Sequence, residues 1–372
     1  MGVIMSKARL SILRVALLLS VLAASAIMPS CSCTRPATPT GGGPETAVLE
    51  VHFIDVGQGD ATLVMHGESA MLIDAGDASN GAAVREYIRG RGIEKLEYLV
   101  LTHPDSDHIG GAPPVISMYQ VDRVFISNFE KDTMTYRKLI EALDAKRYAY
   151  ATPGVGATHA LGGAEFTILA PDGTYRDSNN SSIALLLTYG NTSFIFTGDA
   201  EERAERDIAA NGHDISADVL HAGHHGSRTS SSAAFLDAVS PSFVVISCGT
   251  GNPYGHPHAE TLERYRDMGM AVYRTDGQGS IVATSDGEAI TWSVTPSGTW
   301  QAGGTATQEG RQATGDDPED LAGQVTYVLN ERSKVFHRPT CGSLPTANRK
   351  DSHESREEII RQGYNACGRC NP

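Results

Sequence analysis

The chain has 372 residues, 40% of them hydrophobic and 20% charged, which excludes a fibre or a disordered chain and leaves room for one large domain plus a small one. Its formal charge of −14 makes the average surface unfavourable to nucleic acid, because polyanions are captured chiefly by lysine and arginine. A phosphodiester substrate would have to be held locally, by metals and a few donors.

Lys7, Arg9 and Arg14 precede an apolar run from Val15 to Met28, followed by small residues around Ser30. This is the order of a secretion signal, and the run is shorter than the roughly 20 apolar residues a spanning helix needs. Residues 1–30 are therefore set apart from the fold. Ser30-Cys31 resembles the cleavage site of a bacterial lipoprotein, which implies a lipid on Cys31 and an anchor in the membrane. Cleavage without lipidation and a retained membrane helix are the alternatives. Residues 31–46, rich in Pro, Thr and Gly, read as a flexible tether.

Strand patterns follow at 48–54, 61–65 and 70–74, separated by short glycine-containing turns that imply antiparallel neighbours. Helical spacing covers 81–91, and the apolar run 96–102 is a strand that delivers His103 at its end. Further strands are expected at 123–127, 165–169, 182–188, 192–197, 217–221 and 242–247, with helices at 133–146, 200–210 and 231–239. Three edge strands close the domain at 271–274, 279–283 and 289–293. Strands interleaved with helices mean an α/β architecture with a mixed sheet. Cys248, alone in an apolar run, reads as core packing.

The run His103-Pro104-Asp105-Ser106-Asp107-His108 puts two imidazoles and two carboxylates on one loop after a buried strand. At that density they converge on one point and match borderline or hard divalent cations. Gly110 and Gly111 allow the next helix to approach the loop closely. Asp55 and Asp60 flank a Gly57–Gly59 turn, where a capping or turn role is expected.

These motifs, with Val51-His-Phe-Ile-Asp-Val-Gly-Gln-Gly-Asp60, Leu72-Ile-Asp-Ala-Gly76, Asn179-Asn-Ser-Ser-Ile183, Phe196-Thr-Gly-Asp199, His224-His-Gly-Ser227 and Asn252-Pro-Tyr-Gly-His-Pro257, resemble the metallo-β-lactamase superfamily. Within it the likeness is to the hydrolase domain of the ComEC competence (DNA-uptake) family, without that family's long hydrophobic spans. The resemblance implies an αββα sandwich over residues 47–297 and two divalent cations, Zn²⁺ or Mn²⁺. It implies His103 and Asp105 on the first cation, Asp107 and His108 on the second, Asp199 bridging and His224 completing the set, with Asp74 bracing the loop. Asp105 stands where much of the superfamily has a second histidine, which adds oxygen to the first site. The usual mid-chain histidine is replaced near Asn180 and Ser181.

Two such cations can clamp both oxygens of a phosphodiester in hydrolysis. Asp107 is either a proton acceptor or purely a ligand, and His225 and His256 are candidates for substrate contact or ligand support. Asn180, Ser227, Arg228, Asn252 and Tyr254 carry donors suited to phosphate oxygens; for each, a loop hydrogen bond is the competing reading.

Residues 298–323 read as a linker, and the unit 324–372 is too small to stand on a core alone. His337-x₃-Cys341 with Cys367-x₂-Cys370 has the spacing of a closed structural zinc site, with a disulfide from Cys341 as the alternative. The unit resembles the small zinc domain of the Ada alkylation-repair family, with His337 in place of a cysteine.

The sequence thus points to an exported metal-dependent phosphodiesterase acting on DNA, with no sign of an obligate protein partner. The competing readings are hydrolysis of another ester, a cyclic nucleotide or a lactam, and a tethered module that binds DNA or cell-wall material without catalysis.

Overall fold

The computed structural model describes residues 47–303 continuously, and parts of the C-terminal unit at 327–330, 332–337, 349–352, 359, 362 and 364–366. Residues 1–30 and 31–46, expected as a signal and a tether, and Cys31, Cys341, Cys367 and Cys370 lie outside the described residues.

The chain lays down one sheet and then the other. β1 (Leu49–Phe53), β2 (Thr62–His66) and β3 (Ser69–Ile73) form an antiparallel meander, after which β4 (Lys95–Leu101), β5 (Gln120–Ile126) and β6 (Tyr150–Ala151) add in parallel. The second half repeats the plan. β7 (Thr158–Leu161), β8 (Ala164–Ala170), β9 (Ala184–Tyr189) and β10 (Thr192–Phe196) run antiparallel, then β11 (Val219–His221), β12 (Phe243–Ile246) and β13 (Ala271–Arg274) continue in parallel. The chain then returns to the first sheet, where β14 (Ile281–Ser285) pairs with β1 and carries β15 (Ile290–Trp292) at the edge.

Parallel strands need crossovers, and these are helices on the outer faces. α1 (Gly81–Gly90), α2 (Ser106–Ile109), α3 (Ala112–Met118) and α4 (Met134–Lys146) belong to the first half; α5 (Glu202–Ala210), α6 (Ala233–Val239) and α7 (Ala259–Asp267) to the second. Thr133 and Ser232 cap α4 and α6, accepting from the backbone N–H of Tyr136 and Phe235.

Three apolar layers result. Val51, Phe53, Val64, Phe166, Phe194 and Phe196 pack between the sheets. Leu63, Leu72, Val84, Ile88, Leu99 and Leu139 fill the space under the first helical layer, and Ile195, Leu220, Phe235, Val244 and Cys248 that under the second. The sandwich is αββα, and Cys248 packs as expected for its apolar run. The parallel strands end at one edge, where β4, β10 and β11 release the loops that carry the motifs.

Residues 298–303, expected to open the linker, still pack on the domain: Trp300 lies against the second outer core and Gly303 N donates to Pro257 O at 2.9 Å. The C-terminal unit contributes a small sheet ordered β18 (Arg349–Ser352), β16 (Tyr327–Asn330), β17 (Val335–His337), β19 (Asn365–Ala366), over a cluster of Leu329, Phe336, Ile359 and Tyr364. Among the described residues no helix is long and apolar enough to cross a membrane.

Candidate metal centre

The centre begins at the end of β3. Asp74 is buried in the left-handed region at φ 56, and it accepts from Thr102 N at 2.8 Å and Thr102 Oγ1 at 2.6 Å. Its Oδ2 also faces His108 Nδ1 at 2.8 Å. One carboxylate thus fixes the exit of β4 and directs His108 Nε2 inward, the second-partner arrangement that orients metal-ligating imidazoles.

The loop has no room to drift. A Cβ on Gly59 would collide with Asp107 O, and one on Gly110 or Gly111 with Ser106 O or Ala75 O, so these glycines are demanded by close backbone approach. Asp60 N donates to Asp107 O at 3.2 Å and Ala75 N to His108 O at 2.8 Å.

The second sheet supplies the opposing half. Asp199, buried after β10, turns its carboxylate toward the loop, and the Gly223–Gly226 turn after β11 places His224 and His225 at φ 50 and 54. Two consecutive non-glycine residues in that region are a costly geometry, of a kind found where side chains must be aimed. His225 Nδ1 lies 3.0 Å from Ser247 O and 3.2 Å from Asp60 Oδ1, so its Nε2 is the inward atom.

Four imidazoles converge on Asp199. His108 Nε2 is 3.2 Å from its Oδ1; His103, His225 and His224 bring Nε2 to 3.6, 3.7 and 3.9 Å from Oδ2. His225 Nε2 also lies 3.2 Å from Asp107 Oδ2 and 3.3 Å from His108 Nε2. Asp60, His108, Asp199 and His225 each place a ligand-type atom within 4.8 Å of the others. Most of these separations are long for hydrogen bonds, but atoms each about 2.0–2.2 Å from a shared cation sit roughly 3–3.5 Å apart.

The electrostatics ask for positive charge in the same place. Burial alone would raise the pKa of Asp199, yet His108, His225, His224 and His103 hold it well below the ordinary carboxylate range. Burial disfavours charge on His108 and His225 as well; Asp199 with Asp74 in one case, and Asp199 with Asp60 in the other, hold both imidazoles well above their usual value. Protons there neutralise carboxylates that divalent cations would neutralise better, so the donor set fits the metals.

The expected residues do not all meet. His103, Asp107, His108 and Asp199 gather, and the structure brings His225 rather than His224 against Asp107 and His108. His224 turns its Nδ1 to Glu201 Oε1 at 3.6 Å and Thr229 Oγ1 at 3.4 Å. Asp105 Oδ1 is engaged by Lys131 Nζ at 2.8 Å and by Ser178 Oγ.

Asn180 serves the protein: Nδ2 donates to Asp177 Oδ1 at 2.8 Å and Oδ1 accepts from Ala204 N at 3.0 Å. Asn252 likewise closes its own loop, bonding Gly249 O, His256 O and His256 N. Neither amide is thereby offered to a phosphate. Ser227 is buried, with Oγ 3.0 Å from Thr229 Oγ1, whereas Arg228 is half exposed and 3.9 Å from Glu260.

His256 is fully buried, and neither ring nitrogen has a hydrogen-bond partner among the described residues. Burial first, then its histidine neighbours, push its pKa down to about 2. Tyr254 stacks on it at 5.6 Å, and the rings of His224 and His225 lie 5.2 and 6.0 Å away.

Sequence reasoning missed Asp60, expected only in a turn. Asp55 plays that part, accepting from Gly57 N at 3.0 Å, while Asp60 is buried behind His225. The available signal was an aspartate directly after Gly59, the glycine that touches the metal loop.

Residues 54–250 match the profile of the metallo-beta-lactamase superfamily. The chain is 32% identical over 266 residues to ComE operon protein 3 of Bacillus subtilis, covering 66% of this chain and 34% of that protein. It is 33% identical over 238 residues to Recombination protein 2 of Haemophilus influenzae, covering 62% and 28%. The chain thus spans about a third of the length of the curated relatives it matches. Among solved structures, the metallo-beta-lactamase fold protein YhfI from Bacillus subtilis aligns with a TM-score of 0.45 at 14% identity, over 64% of this chain and 100% of that one.

Proposed function

The chain belongs to the metallo-β-lactamase superfamily, and from that premise we propose a metal-dependent phosphodiesterase that cleaves DNA. The observation that carries the reading is the convergence of His103, His108, His224 and His225 on the buried Asp199 carboxylate, with Asp107 alongside. Two divalent cations, Zn²⁺ or Mn²⁺, held there would supply Lewis-acid polarisation of a phosphoryl oxygen and a water acidic enough to attack it.

The protein's own groups divide the remaining work. Asp107, His108 and His225 would hold one cation, His103, His224 and Asp105 the other, and Asp199 would serve both. Asp74 and Asp60 keep His108 and His225 turned inward. His256, neutral and with no partner on either ring nitrogen among the described residues, is the group available to donate a hydrogen bond to a phosphoryl oxygen. Arg228, only loosely paired, can meet a phosphate at the rim. DNA is favoured because the relatives named Recombination protein 2 and Competence protein ComA of Neisseria gonorrhoeae align over 62% and 61% of this chain.

The formal charge of −14 favours a second reading, in which the substrate is a small phosphodiester. Both are tested by incubating the mature protein and Asp107→Ala with single- and double-stranded DNA, and with bis-p-nitrophenyl phosphate, in Mn²⁺, Zn²⁺ or EDTA. Cleavage of DNA by the wild type alone supports a nuclease. Turnover of the small diester without DNA cleavage overturns the DNA assignment and keeps the chemistry. Failure of both substrates, with metals bound, sinks the phosphodiesterase.

The reading includes export through residues 1–30, a lipid on Cys31 and a structural zinc on His337, Cys341, Cys367 and Cys370. His337 is buried and its Nδ1 has no hydrogen-bond partner among the described residues, which supports a ligand role. Zinc content of the full chain against Cys367→Ser/Cys370→Ser tests it: one equivalent should be lost.

A further inference from the structure

Asp105 sits two residues from His103 and two from Asp107, and its Oδ1 is already engaged by Lys131 and Ser178. Lys131 Nζ, from the loop between β5 and α4, contacts its Oδ1 at 2.8 Å, and Ser178 Oγ reaches the same oxygen from the second sheet. The ion pair is no loose surface contact: the Asp105 side chain is 17% exposed and that of Lys131 38%. Thr133 N donates to Lys131 O at 2.9 Å, tying the lysine's loop to the start of α4.

We infer that Lys131 competes with the first metal for Asp105, so that the two positions fill in order. The inference rests on the two-metal reading. The position formed by Asp107, His108, His225 and Asp199 has its donors already assembled and fills first. The position on His103 needs an oxygen from Asp105, and that oxygen is shared between an ammonium and a hydroxyl. A divalent cation there would face the ammonium at close range, and like charges so placed must separate. The lysine therefore swings outward as the His103 position fills.

The test is calorimetric titration of the metal-free full chain with Mn²⁺, together with electron paramagnetic resonance to detect coupled ion pairs. The wild type should bind one equivalent tightly and a second more weakly. Lys131→Met should tighten the second by about fivefold and leave the first unchanged, the size expected of a partly exposed pair. Lys131→Arg should behave as wild type. In an Asp105→Asn background the lysine substitution should have no effect on metal binding. A second equivalent that is unchanged or weakened in Lys131→Met overturns the inference, provided its melting curve matches wild type; Lys131→Ala serves if it does not. Because the readout is metal count and affinity, a protein that loads in this order without cleaving DNA would sink the nuclease reading alone.

Discussion

At the scale of single residues, the centre works through paired groups: Asp74 behind His108 and Asp60 behind His225. Asp74→Asn and Asp60→Asn should each lower metal affinity about 10- to 100-fold, measured by competition with a chromogenic chelator, without altering the circular dichroism spectrum. A histidine pKa raised in the folded state adds stability that is complete below the unfolded value of 6.5 and is lost as pH rises through the folded value. The EDTA-treated protein should therefore melt at progressively lower temperature as pH rises above 6.5, whereas the loaded protein, with neutral ligating imidazoles, should not; equal slopes would contradict the assignment. The metal loop was legible in the sequence because four ligand-type side chains fall within six residues. The choice between His224 and His225 was not: it depends on two left-handed backbone angles and on Ser247 O, which is remote in sequence.

At the scale of elements, helices with a clear apolar face were legible, and α1, α4, α5 and α6 fall where periodicity puts them. α3 opens with Ala112-Pro-Pro, which hides its start; α7 does bury Thr261, Leu262 and Tyr265 on one face, a stripe that sequence reasoning missed. β7 buries Leu161 alone at its end and β6 is two residues long, too little pattern for a strand to be read. α6 is held by more than its Ser232 cap, since the buried Glu205 of α5 accepts from the backbone N–H of Ser231 and of Ser232. Glu205→Ala should cost about 1–3 kcal/mol in urea unfolding, the penalty of stranding buried donors. Gly111→Ala forces a methyl group against Ala75 O where α3, α1 and the β3 loop meet. It should destabilise by at least about 3 kcal/mol, seen as a large fall in melting temperature or insoluble expression.

At the scale of the whole molecule, the sandwich repeats one plan twice: antiparallel strands, then parallel strands backed by helices, each half ending in loops at the same edge. Each half offers an incomplete set of ligand-type groups, so cations bound between them would link the sheets. Metal at about 100 times its Kd should stabilise the fold by about 2.7 kcal/mol, and thermal melts with and without EDTA will read it. The return of β14 to β1 has a consequence in time. As the chain is made from its N-terminus, β1 keeps an open edge and the first ligand loop stays empty-handed until Asp199 and His225 arrive, with β14 later still. A centre wired this way is incomplete in every unfinished form, and truncations that stop before Asp199 should bind no divalent cation tightly, however well their first sheet forms.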